Sequence, residues 1–150
     1  MKHRGIGVLE FVLVAGILAF IVTLLAGSLQ NLRSRHNLQE AAVQIIGMVH
    51  EARSRTLAGT DNLQYGVHFE SGKATLFQGA TYISNATTND DFTLSSAVEL
   101  NPISLTGGAN DLVFARVTGF PSATGTVTVR LKKNGTDTVV VTVGDGGVSY

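Results

Sequence analysis

Residues 5–26 read GIGVLEFVLVAGILAFIVTLLA, apolar almost throughout, with one carboxylate, Glu10, near the start. A charge held in the hydrocarbon of a bilayer costs roughly 2.5 to 3.5 kcal/mol on insertion scales, so a carboxylate inside such a run is read as functional and in need of a partner. From Ile6 to Ala26 the run is about 21 residues, which at about 1.5 Å per residue matches a hydrocarbon core of about 30 Å. Lys2, His3 and Arg4 precede it, and basic residues before a first span stay on the cytoplasmic side, placing the C-terminal bulk outside. Arg33 and Arg35 beyond the far end oppose that orientation slightly. A cleaved secretory signal ending at Ala26-Gly27-Ser28 is the plainer reading, and it leaves Glu10 unexplained.

Beyond the run the pattern becomes amphipathic without a break. Leu38, Ala42, Ile45, Val49 and Ala52 recur at three- and four-residue spacing, one face of a helix. Arg33, Arg35, Glu40, Glu51 and Arg55 lie mostly elsewhere, and Glu51 with Arg55 is a favourable four-residue pair. Gly47 would permit close approach of a strand. Gly59, followed by Thr60-Asp61-Asn62, reads as the stop. A coiled-coil stalk is the alternative, but the heptad is not sustained.

From Gln64 onward the period is two. Tyr65, Val67 and Phe69 alternate with polar neighbours, Ser71-Gly72 turns, and Ala74 to Phe77 returns as a first hairpin. Val127, Val129 and Leu131, the Asn134-Gly135 turn, and Val139, Val141 and Val143 predict a second. Val98 to Leu105, Leu112 to Val117 and Val148 to Tyr150 are further predicted strands. Thr81 to Ser96 reads as an exposed loop.

The short basic leader, Gly5, the apolar Ile6, and Glu10 five positions after that Gly, followed by a long apolar helix, resemble the type IV pilin and pseudopilin family. The resemblance implies cleavage by a prepilin peptidase between Gly5 and Ile6 and N-methylation of Ile6. It also implies assembly in which the Glu10 carboxylate of one subunit meets the Ile6 amine of a neighbour, a contact that sets register because an unpaired buried charge is costly. Ile6 stands where the family often has Phe, Gly7 and Val8 replace a more usual polar-then-apolar pair, and Gly27 stands near the place of a common helix-kinking Pro. The seven or so strands without a second helix are similar to the pseudopilin H and FimT-like minor branch.

The expected fold is α+β and pilin-like: one long N-terminal helix, its first half transmembrane and its second amphipathic, packed on a C-terminal antiparallel β-sheet or small β-sandwich. Its segments are a leader (1–5), a transmembrane and assembly helix (6–28), an amphipathic helix (29–59) and a β-rich head (60–150). The implied function is that of a structural subunit of a type IV pilus or type II secretion pseudopilus. Its implied partners are prepilin peptidase, other pilin or pseudopilin subunits, the inner-membrane assembly platform and membrane lipid. The implied location is the bacterial inner membrane, single-pass with the head extracytoplasmic, and then the filament. A signal-anchored extracytoplasmic binding domain that never polymerises is an alternative.

Composition narrows the rest. The chain has 11 basic and 11 acidic residues and no Cys, which removes disulfides, thiolate metal sites and a Cys nucleophile. Cleavage after Gly5 would take the side-chain charge to about minus two. His36, His50 and His68 make no metal-ligand set, Asn89-Asp90-Asp91 and Asp145 lack the alternating spacing of a calcium loop, and the serines lack a nucleophile elbow. No enzyme activity and no cofactor are expected. Arg130, Lys132 and Lys133 form a basic patch that would suit a DNA-binding minor pilin of an uptake system. Against it, Asp61 to Tyr150 carries five Lys and Arg and eight Asp and Glu, and Lys at a solvent edge commonly discourages strand pairing.

Overall fold

The computed structural model describes residues 7–133 and 135–149, and for residues 24–31 the backbone alone. Gly5 and Ile6, the expected processing pair, lie outside the described residues, as do Asn134 of the expected turn and Tyr150. The chain divides into two compact units, residues 1–33 and 34–150.

The backbone of Val8–Leu57 is helical (α1), yet the expectation of one long helix with a transmembrane first half is corrected. The helical residues with described side chains form two stretches of 16 and 26 residues, 8–23 and 32–57. The first lies in one unit and the second almost wholly in the other. Among the described residues no helix is long and apolar enough to cross a membrane. For the longer stretch the physical reason is polarity, since it carries the charged residues from Arg33 to Arg55; the shorter one, 8–23, is followed by residues whose side chains are not described.

The stretch 32–57 is amphipathic as its spacing predicts. Leu38, Ala42, Ile45, Val49 and Ala52 are all buried, joined by Ala41 and Met48. Leu57 ends the helix, and Gly59 follows at φ 66°, a left-handed conformation that glycine adopts without steric cost. Thr56 ties this end to the first strand: its hydroxyl donates to the Ala52 carbonyl at 2.8 Å and accepts from the Tyr65 amide at 2.9 Å. Nothing stands within 4 Å of where a Cβ on Gly47 would be, and Gly47 lines a pocket with Asp90, Asp91 and Phe92.

Among the described residues eight strands follow: β1 (Tyr65–Glu70), β2 (Lys73–Gln78), β3 (Asp90–Thr93), β4 (Val98–Leu105), β5 (Asp111–Val113), β6 (Gly125–Leu131), β7 (Thr138–Gly144) and β8 (Gly147–Ser149). They form two four-stranded antiparallel sheets, ordered β3-β2-β1-β5 and β4-β6-β7-β8. Tyr65, Val67 and Phe69 of β1, Leu100 of β4, Val127 and Val129 of β6 and Val141 of β7 join the buried helix residues in one apolar cluster. Alternation therefore puts Gly66, His68 and Glu70 on the other face of the first sheet.

Two stretches depart from expectation. Within the predicted loop 81–96, Asp90–Thr93 pairs with β2 as an edge strand. The predicted strand Leu112 to Val117 stops at Val113, because Phe114 bridges Pro121 and the chain turns through Val117 at φ 75°.

Candidate functional sites

The N-terminal site begins at Gly7, whose carbonyl accepts from the amides of Glu10 at 2.9 Å and Phe11 at 3.2 Å. Glu10 thus sits in the first helical turn, where the macrodipole favours a carboxylate. It is exposed, and among the described residues its side chain has no hydrogen-bond or ion-pair partner. Around and beyond it, Val8, Leu9, Phe11, Val12, Leu13, Val14, Ile17, Leu18, Phe20, Ile21 and Val22 are all exposed. A helix apolar on every side has no face for water and needs cover.

The second site lies on the outer face of the first sheet and was not expected from sequence. Phe77 of β2 is buried although it points away from the main apolar cluster. It lies over Gly66, where a Cβ would come within 2.7 Å of its ring. The loop after β2 covers it. Tyr82 stacks on the His68 ring with centroids 3.9 Å apart and meets Phe77 edge-on at 5.6 Å. The Tyr82 hydroxyl is buried and has no hydrogen-bond partner among the described residues.

Around this aromatic group runs a polar network. His68 Nδ1 contacts Asp111 of β5, its register partner, and Nε2 lies 3.4 Å from Glu70. Lys73 lies between Glu70 at 3.9 Å and Asp91 at 3.4 Å. Thr75 donates to Asp91 at 2.6 Å. That hydroxyl is the main reason the Asp91 carboxyl is held below the usual range; burial opposes it, and Lys73 adds to it. Burial pulls the Lys73 ammonium down, but Asp91, Glu70 and Tyr82 outweigh it and hold the ammonium above the usual value.

This arrangement fixes a loop rather than presenting a reactive group. Both imidazole nitrogens are engaged by carboxylates on opposite sides of the ring, so His68 offers no free base and the two carboxylates do not converge on one ion. Among the described residues no cluster of His, Asp and Glu is placed to hold a metal. The sequence carried one usable signal: His68 and Glu70 are two apart in a strand and share a face. Nothing local pointed to Asp111 or Tyr82.

The basic patch is divided. Arg130 of β6 faces Glu99 of β4 in register, donates to it through Nε at 2.7 Å and forms an ion pair with it, Nη2 lying 2.6 Å from the same oxygen. Its guanidinium is engaged across the sheet. Lys132 and Lys133 are exposed, and the Lys132 amide donates to the Ala97 carbonyl at 2.9 Å. The three side chains are thus one paired cation and two solvent-facing ones. Compared with protein-family models, curated proteins and solved structures, the chain matches none.

Proposed function

We propose that this chain is a structural subunit of a pilin-type filament, a type IV pilus or secretion pseudopilus, processed between Gly5 and Ile6 and assembled through its N-terminal apolar stretch. One observation carries the reading: residues 8–23 expose apolar side chains on every side of a helix, beside a carboxylate with no partner among the described residues. Exposed apolar patches of this extent mark interaction surfaces. In this reading, like stretches of neighbouring subunits cover one another. Processing supplies the missing cation, because the new Ile6 amine of one subunit pairs with Glu10 of the next. Before assembly the same stretch holds the precursor at the bacterial inner membrane, where the peptidase and the assembly platform act on it.

The test is peptide mass analysis of the N-terminus together with electron microscopy of filaments from Glu10→Ala and Glu10→Gln variants. An N-methylated Ile6 and loss of filaments in both variants are expected. Cleavage near Ala26, or filaments unchanged by Glu10→Ala, would overturn the reading.

A further inference from the structure

Strand β7 is only half covered. β6 pairs with it from Thr138 to Val143, whereas β8 reaches only Thr142, Val143 and Gly144. The ladder fixes which way the remaining groups point. The Leu131 amide donates to the Asp137 carbonyl at 3.2 Å, so Asp137, Val139 and Val141 direct their backbone groups at β6, and Thr138 and Val140 direct theirs away from it. Thr142 and Gly144, next in that outward series, face Ser149 and Gly147 of β8. Thr138 and Val140 face no strand, and their outward amides and carbonyls have no hydrogen-bond partner among the described residues.

The other sheet edges are blunted. β3 carries Asp90 and Asp91, and β8 is three residues long. β4 is interrupted at Pro102, with a register shift between Leu100 and Ile103, and its Leu100 amide already donates to the Ser71 carbonyl at 2.8 Å. On β5 the Val113 carbonyl accepts from the Ser122 amide at 2.7 Å, and the Val113 amide donates to the Ser122 hydroxyl at 3.0 Å. Charge, Pro, irregularity, shortness and cover are the usual means of keeping an edge from pairing. The open part of β7, Thr138-Val139-Val140, has no charge, Pro or bulge, and its β-branched residues suit a paired strand.

Beside this edge, on the core side of the sheet, Gln39, Ala42, Val43 and Ile46 of α1 and Val139 of β7 line a groove, in which Val43 is 60% exposed. Residues directly opposite each other in a ladder share a face. A strand laid along Thr138 to Val140 therefore puts the residue opposite Val139 into the groove, and those opposite Thr138 and Val140 on the outer face. The open ladder asks for a strand's backbone, and the groove asks for one apolar side chain.

We propose that β7 accepts an extended segment of another protein by strand addition, antiparallel to β7 and in line with β8, with an apolar side chain opposite Val139. In such docking the main-chain hydrogen bonds supply affinity and the pockets for alternate side chains supply specificity. A second copy has only its own β7 to offer, because its other edges are blunted in the same way. This docking does not depend on the filament reading.

The probe is a fluorescent peptide of alternating threonine and valine, titrated by polarisation into the full chain held in detergent. Saturable binding is expected, and none for the same peptide methylated on its threonine backbone nitrogens. Val140→Pro deletes one outward amide and leaves the β6 ladder intact, an orientation in which edge strands tolerate Pro. It is expected to weaken binding about tenfold, the worth of one hydrogen bond. Val43→Glu, at an exposed helix position, is expected to weaken binding without lowering the melting temperature. Should Val140→Pro fail to fold, amide hydrogen exchange of the unmodified chain decides, with the peptide expected to slow the Thr138 and Val140 amides. Absence of saturable binding, binding undiminished by Val140→Pro, Val43→Glu or methylation, or unchanged exchange overturns the proposal. Thr138→Cys chains that crosslink into dimers without peptide overturn it in favour of a two-fold pairing of two copies.

Discussion

At Gly66 a single hydrogen atom decides whether the outer face of the first sheet can close. A Cβ there would meet the Phe77 ring at 2.7 Å and the Leu112 carbonyl oxygen at 2.8 Å, and the second of these is backbone that cannot swing aside. Gly66→Ala is therefore expected to destabilise the head by about 1 to 3 kcal/mol, the usual range for overpacking, measured by urea denaturation. Asp91 gives a pH dependence. Its carboxyl is depressed, chiefly by the Thr75 hydroxyl, so the stabilisation it contributes is fully present above the unfolded carboxyl value of about 3.9 and is lost as pH falls through the lower folded value. Thr75→Val removes the largest cause. Melting curves from pH 5 down to pH 2 should show a shallower acid loss for Thr75→Val than for the unmodified chain. Because Asp91 is half exposed, the difference is expected to be small and to shrink further in salt; an identical acid slope would contradict it.

Among the elements, the helix face is legible because its signal is local. Ile45 and Val43 are both β-branched and only two positions apart, yet Ile45 is fully buried while Val43 is 60% exposed. Three- and four-residue spacing selects Ile45 from sequence alone. Ile45→Ala is expected to cost about 2 to 5 kcal/mol, and Val43→Ala within about 0.5 kcal/mol of nothing in the isolated subunit; thermal melts of the two variants separate these. The two hairpins are legible for the same reason, since alternation and turn residues lie close together. β3 is not. Its residues Asp90-Asp91-Phe92-Thr93 hold one apolar side chain, and what makes them a strand is pairing with β2, including Thr75 opposite Asp91. The polar network on the outer face is hidden likewise: His68 meets Asp111 across 43 positions, and no local pattern reports such a partner. Nor does sequence foretell the conformation of Val117, because a valine before Thr118 and Gly119 reads as strand.

For the molecule as a whole, the contrast between its two units sets what each can do alone. Residues 34–150 bury an apolar cluster shared by the helix and both sheets. Residues 8–23 leave Phe11, Leu13, Ile17, Phe20 and their neighbours exposed. The apolar side chains of the second unit are largely gathered in its own core, so it is expected not to hold subunits together by itself at micromolar concentration. A protein comprising residues 34–150 should then be a monomer in aqueous buffer with a single cooperative melting transition, measured by light scattering and circular dichroism. The full chain, by contrast, should sediment unless detergent covers residues 8–23. A head that aggregates alone, or a full chain that stays monomeric without detergent, would contradict this division of roles.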